Sequence, residues 1–297
     1  MAREAKFIVA IGRKGVGKTY KTLEMISAVV KGNPKTGRKG EKVLILDTNG
    51  EYGDVIKDHQ NPNFVPIKAL DIKDVAGWTH NGIIDARRIL PVKTGNQFGV
   101  LNTKEMQETL SHILKYFKGG MFVIEDPTKF ISDSLPSDLI GALATQRHKS
   151  VDIVLHFQDI GKAGQPKIWA NSNMIRFHKS DGTVKRHENK FGGHTTHLYI
   201  LEKLVDIEYK KGNVRFCATL DKDDNKIKGA FTKAQFVNAI EEYLQDNITL
   251  VNREIARVNL RSGVKVHANR AKAVEYLINE YVREYYGNKD SEQQKKP

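Results

Sequence analysis

The sequence has one cysteine, Cys217, in 297 residues. A single thiol excludes an internal disulfide and a cysteine-rich zinc site. Its place in a strand-like run predicts a small buried apolar side chain. Long hydrophobic runs are missing too. No stretch approaches the roughly 20 apolar residues needed to cross a bilayer, and residues 1–6 are polar, without a signal-peptide apolar region. The expectation is a cytosolic protein with no membrane insertion. Acidic residues are in deficit: 35 Asp and Glu stand against 48 Lys and Arg, a formal net charge of +13. Such an excess points to a polyanionic partner, because Lys and Arg gain affinity by releasing counterions from a phosphate backbone. The plain alternative is a basic, solvated surface. There is no internal repeat.

What is present reads as α/β. Residues 7–11 form a short apolar run ending at Gly12, a buried strand. Residues 18–30 read as a helix with Leu23, Ile26 and Val30 on one face, broken by Gly32-Asn33-Pro34. Residues 42–46 are a second buried strand, which completes a βαβ unit. Residues 53–100 are irregular, with short strands predicted at 64–67 and 88–92. An amphipathic helix covers 103–117. Further buried strands are predicted at 121–124, 153–157 and 174–177, with a helix at 139–147. Lys210-Lys211-Gly212-Asn213 between two apolar runs predicts a hairpin over 205–220. Helices follow at 235–244, with Thr232 as cap, and at about 268–286. The predicted layout is a core over 1–246, a basic helical extension over 247–287 and a disordered tail over 288–297.

Gly12-Arg13-Lys14-Gly15-Val16-Gly17-Lys18-Thr19 lies between the first strand and the first helix. That context suits a phosphate-binding loop: glycines let backbone N–H groups close on a phosphate at a helix N-terminus, Lys18 reaches the β and γ oxygens, and the Thr19 hydroxyl ligates Mg²⁺. The third strand ends in Glu125-Asp126. A strand-end acid can hold Mg²⁺ and its neighbour can orient or deprotonate water. Both residues are acids, so their division of labour stays open; position assigns Glu125 to Mg²⁺ and Asp126 to water. Asp47 ends the second strand, and the turn Asn49-Gly50-Glu51-Tyr52 returns Glu51 toward the same sheet edge, where ligands of open parallel sheets sit. Gln158 ends the fourth strand, placed to sense a γ-phosphate. Arg147 lies ahead of that strand. His187, His194 and His197 are too scattered for a metal site.

Taken together, the P-loop, Leu44-Ile45-Leu46-Asp47-Thr48-Asn49-Gly50-Glu51-Tyr52, the Glu125-Asp126 strand end, Arg147 and Gln158 resemble the HerA–FtsK superfamily of DNA-pumping ATPases, over about residues 7–180. The resemblance implies a RecA-like P-loop NTPase core with a mostly parallel sheet flanked by helices. It also implies ATP bound with Mg²⁺ between neighbours of a homo-oligomeric ring, usually of six subunits. Arg147 would act as a trans-acting finger and Gln158 as sensor. The family usually reads Asp-Glu at the third strand where this chain reads Glu-Asp, one methylene shorter at the water-positioning acid. A compact member fits a viral packaging ATPase or a mobile-element translocase, working in the host cytoplasm if viral. A capsid portal or vertex, or a relaxase, would be its further partner. Phosphate contacts to double-stranded DNA would come from Lys162, Lys167, Arg176, Lys179, Lys185, Arg186 and Lys190, and from Arg253, Arg257, Arg261, Lys265, Arg270 and Lys272. The competing readings are a P-loop kinase, a phage-assembly ATPase that moves no DNA, and a non-catalytic nucleotide-binding scaffold.

Overall fold

The computed structural model describes residues 4–53, 64–92, 99–129 and 145–288. Most of the predicted helix at 139–147 and nearly all of the predicted tail lie outside them. The described strands are β1 (Phe7–Ile11), β2 (Val43–Leu46), β3 (Ile67–Ala69), β4 (Ala86–Ile89), β5 (Gly120–Ile124), β6 (Val151–Phe157), β7 (Met174–Phe177), β8 (Ala218–Asp221) and β9 (Lys226–Gly229). They form one sheet in the order β3-β4-β2-β5-β6-β1-β7-β8-β9. The run from β3 to β7 is parallel, and β8 and β9 add an antiparallel edge.

Helices cover both faces: α1 (Lys18–Lys31), α2 (Val75–His80), α3 (Thr103–Tyr116), α4 (Ile160–Ala163), α5 (Pro166–Asn171), α6 (Thr195–Lys210), α7 (Lys233–Asp246), α8 (Ile248–Ile255) and α9 (Arg270–Tyr285). Strands buried on both faces read as unbroken hydrophobic runs. In β2, Val43 and Ile45 pack under α1 with Leu23, Ile26 and Val29. Leu44 and Leu46 join the opposite core with Leu110 and Ile113 of α3. Capping boxes start two of the helices, Asn102 with Glu105 for α3 and Thr232 with Gln235 for α7.

The strand order is that of RecA-like P-loop NTPases. β2 follows β1 in sequence yet lies beyond β5 and β6, so β6 stands between the phosphate-loop strand and the acid-bearing strand β5. The chain has that fold.

The predicted hairpin over 205–220 is corrected. Residues 205–210 belong to α6, whose buried Leu198, Leu201, Leu204, Val205 and Glu208 repeat at helical spacing. Lys211-Gly212-Asn213 ends that helix rather than turning a hairpin. The hairpin is β8–β9, pairing Asp221 with Lys226 and turned with Asn225 at φ 56°. The two strands predicted in the insertion lie a few residues off, at β3 and β4. Cys217 precedes β8 and is only partly buried.

A partly buried carboxyl in α6 gives the fold a pH dependence. Burial pushes Glu202 up to about 7, against a hydrogen bond from the Val184 N–H (3.0 Å) and with Asp206 adding to the push. The folded value lies above the ordinary 4.5. The stability Glu202 contributes is therefore full below about pH 4.5 and is lost as pH rises through 7. Glu202→Gln, neutral throughout, should melt a few degrees higher than wild type at about pH 8, the gap closing toward about pH 5. The free-energy difference at high pH should be on the order of 1–3 kcal/mol. Parallel melting curves at both pH values check it.

Candidate active site

Parallel strands deliver their carboxyl ends to one edge, where α/β sheets bind ligands. Ile11 pairs with both Phe157 and Phe177, and Ile124 pairs with Leu46 and Leu155. The residues that follow, Gly12, His178, Glu125, Asp47 and Gln158, therefore leave the sheet side by side, at the N-terminus of α1.

Close packing shapes the phosphate loop. A Cβ on Gly12 would sit 2.7 Å from His178 Cβ and 3.0 Å from Val16 Cγ2, so a larger residue has no room. Gly17 caps α1 with φ 84°, in the left-handed region. Burial, then Arg176 and His156, hold His178 well below the ordinary histidine value, so its imidazole is neutral. Its Nδ1 donates to the Val16 carbonyl at 3.3 Å. Lys18 Nζ donates to the carbonyls of Gly12 (2.5 Å) and Arg13 (2.8 Å). Burial lowers its pKa against the pull of Glu125, Glu51 and Asp126.

A cavity of about 620 Å³ opens over this loop, lined by Lys14, Gly15, Gly17, Lys18, Thr19, Tyr20, Asn49, Glu51, Glu125, Asp126, His156, Gln158 and Arg215. The volume suits a small ligand. Arg13, expected among the nucleotide contacts, turns aside: its guanidinium donates to Tyr209 Oη (2.5 Å) and reaches Asp181 (3.4 Å). Asp47 also lies outside the lining. It is fully buried and accepts from the backbone N–H groups of Glu51 (2.8 Å) and Tyr52 (3.1 Å) and from Arg88 (3.2 Å). Asp47 therefore holds the turn that presents Glu51.

Glu51 accepts from the Thr19 hydroxyl at 2.6 Å. The predicted metal residues were Thr19 and Glu125; the carboxylate bonded to Thr19 is Glu51. Thr19, Glu51 and Glu125 offer hard oxygen donors in one cavity, which suits Mg²⁺ held jointly with phosphate oxygens. Among the described residues no group of three or more His, Cys, Asp or Glu could hold a metal ion.

The two strand-end acids have different surroundings. Burial raises Glu125, but His156, Lys18 and Tyr52 outweigh it, so the carboxyl sits below its ordinary value and is ionised. Its Oε2 accepts from Tyr52 Oη at 3.2 Å. Asp126 takes φ 41°, a left-handed conformation that Asp tolerates better than most residues. Its Oδ1 accepts from the Thr128 hydroxyl and its Oδ2 from Gln158 Nε2 at 3.0 Å. The sheet edge thus brings the predicted sensor amide directly onto the second acid.

Below the acids runs a buried network that no sequence motif marks. Ala10 pairs with His156 on one side and Arg176 on the other. Its small side chain lets Arg176 Nη2 come within 3.3 Å of His156 Nε2. Arg176 also donates to Thr22 Oγ1. The Thr22 hydroxyl lies 2.8 Å from His156 Nε2 and joins the two side chains. On the far side of the ring, His156 Nδ1 lies 2.6 Å from Glu125 Oε2. Arg176 was expected among the DNA-facing cations; it is buried here and serves this network instead. Two signals could have revealed it: Thr22 lies one helical turn beyond Lys18, and His156 shares a strand face with Gln158.

The backbone of Arg147 lies in a short 3₁₀ segment, Gln146–Lys149, just before β6. Its side chain is outside the described residues.

No protein-family model matches the chain, and no curated protein matches it by sequence. Among solved structures it is similar to the genome packaging NTPase B204 of Sulfolobus turreted icosahedral virus 2 in complex with ATP-gammaS, at 14% identity and TM-score 0.47, over 75% of this chain and 95% of that one. It is also similar to B204, the DNA-packaging ATPase from Sulfolobus turreted icosahedral virus, at 16% identity and TM-score 0.46, over 75% and 95%. The N-terminal domain of zonular occludens toxin from Neisseria meningitidis is similar at 14% identity and TM-score 0.32, over 60% and 79%.

Proposed function

We propose that this chain is an ATP-hydrolysing DNA translocase of the HerA–FtsK type, moving double-stranded DNA to package or transfer a viral or mobile-element genome. The observation that carries the hydrolytic part is the single cavity holding Lys18, Thr19, Glu51, Glu125, Asp126 and Gln158, with the Gln158 amide 3.0 Å from the Asp126 carboxylate. Loop N–H groups and Lys18 neutralise the β- and γ-phosphates. Thr19, Glu51 and Glu125 would hold Mg²⁺, which would supply positive charge against the phosphates. Each Asp126 oxygen keeps a second lone pair beyond its Thr128 or Gln158 bond. That carboxylate can align an attacking water, with Gln158 linking the state of the γ-phosphate to Asp126.

The DNA part rests on charge and exposure. Among the basic residues ahead of α9, Arg253, Arg257, Arg261 and Lys265 are exposed, and Lys162, Lys167, Lys185, Arg186 and Lys190 are exposed on the segments after β6. Such contacts bind phosphate without reading sequence. A homo-oligomeric ring, with Arg147 entering a neighbour's site, belongs to the same reading. Duplex DNA should raise the steady-state ATPase rate; a rate indifferent to DNA removes the motor from the proposal.

A further inference from the structure

The residues already named account for the β- and γ-phosphate end of the cavity. Lys18 and the loop reach those phosphates, and Thr19, Glu51, Glu125, Asp126 and Gln158 gather beyond them. Where Gly17 and Tyr20 line the cavity, Arg215 joins them from the turn between α6 and β8. Its guanidinium lies over the Tyr20 ring, with Cζ 4.5 Å from the centroid. Its stem lies against the cap of α1: a Cβ on Gly17 would meet Arg215 Cγ at 2.9 Å and Cβ at 3.1 Å. Glycine at 17 thus leaves the space that Arg215 fills.

The turn that carries Arg215 is built to hold it there. Asn213 N–H donates to Glu208 O (3.1 Å), Val214 N–H to Gly212 O (3.0 Å) and Phe216 N–H to Asn213 O (3.1 Å). Phe216, the next residue, is buried in the core. A second link ties the same corner to the phosphate loop, because Arg13 donates to Tyr209 Oη at the end of α6. A cation–π contact engages the charge of a guanidinium without using up its five N–H donors, so donors remain for an anion.

We infer that Arg215 binds the α-phosphate of the nucleotide from within the same subunit. The inference rests on the nucleotide-site reading above. It adds a contact at the nucleoside end, where no sequence motif points.

Titrations of ATP and ADP against the full chain test it, because both nucleotides carry the α-phosphate. Arg215→Ala should weaken both by a similar factor, on the order of 10-fold, as for a charge-assisted contact. Arg215→Met keeps an aliphatic stem against Gly17 and Tyr20 and should lose as much. Arg215→Lys should recover most of the affinity. Wild-type affinity in the Ala and Met variants overturns the inference, as does a loss confined to ATP, which would place the contact at the γ-phosphate. If Arg215→Ala lowers the nucleotide-free melting temperature, the Met and Lys pair decides. Lys18→Ala in parallel separates the two levels. A wild type that binds ATP no better than Lys18→Ala sinks the nucleotide site itself, and this inference with it. A clear gap between them, with Arg215→Ala matching wild type, sinks this inference alone.

Discussion

Lys18→Ala should cut nucleotide affinity or ATP turnover at least about 100-fold, the scale seen when one preorganised donor to developing charge is removed. The geometry makes the result specific. Lys18 is the buried cation of the loop, and among the described residues its Nζ donates to the backbone carbonyls of Gly12 and Arg13. It spans the loop without anchoring it to the sheet. The loop keeps its shape through Gly12 packed on His178 and through the Gly12 and Arg13 N–H bonds to Phe157 O (3.1 Å) and Lys179 O (2.8 Å). The melting temperature without nucleotide should therefore change little. Ordinary turnover in the variant would show that the loop binds no phosphate.

Asp126→Asn should lower kcat by roughly 10²–10⁴ while leaving nucleotide affinity nearly intact, as expected when a positioned acid–base group is lost. Two local features make asparagine a clean probe. Asn tolerates a left-handed backbone as Asp does, so φ 41° costs no new strain. Its amide oxygen can still accept from Gln158 or Thr128. Glu125→Gln makes a contrasting change: it removes a buried charge that Lys18 and His156 face, and should weaken Mg²⁺-dependent binding as well as turnover. If the Asp126 variant turns over normally and the Glu125 variant alone binds ATP without hydrolysing it, the two acids exchange roles.

The phosphate loop and the strand ends were legible because each needs a short, contiguous signal. Val43 to Leu46 and Ile153 to Leu155 are buried, and their apolar runs show it directly. The loop at Gly12 to Thr19 is one motif between a strand and a helix. What escaped was set by pairing across the sheet. Nothing near Arg176 says that Ala10 stands between it and His156, so a cation that looks solvated in the sequence is in fact buried. Asp47 showed a strand end but not its direction; three donors draw its carboxylate under the turn and leave Glu51 to meet Thr19. Arg215 was invisible for a similar reason. It lies nearly 200 positions from Gly17, beyond a helix whose branched residues Val205 and Ile207 favour strand locally.

The most direct test of the account is the steady-state ATPase rate with saturating ATP and Mg²⁺, with and without duplex DNA, over a range of salt. The rate should be several-fold higher with DNA at low salt and fall back steeply as salt rises, because the contacts are to phosphates. Lys18→Ala and Asp126→Asn should both stay at least about 100-fold below wild type under every condition. An ATPase rate unchanged by DNA at low salt would contradict it.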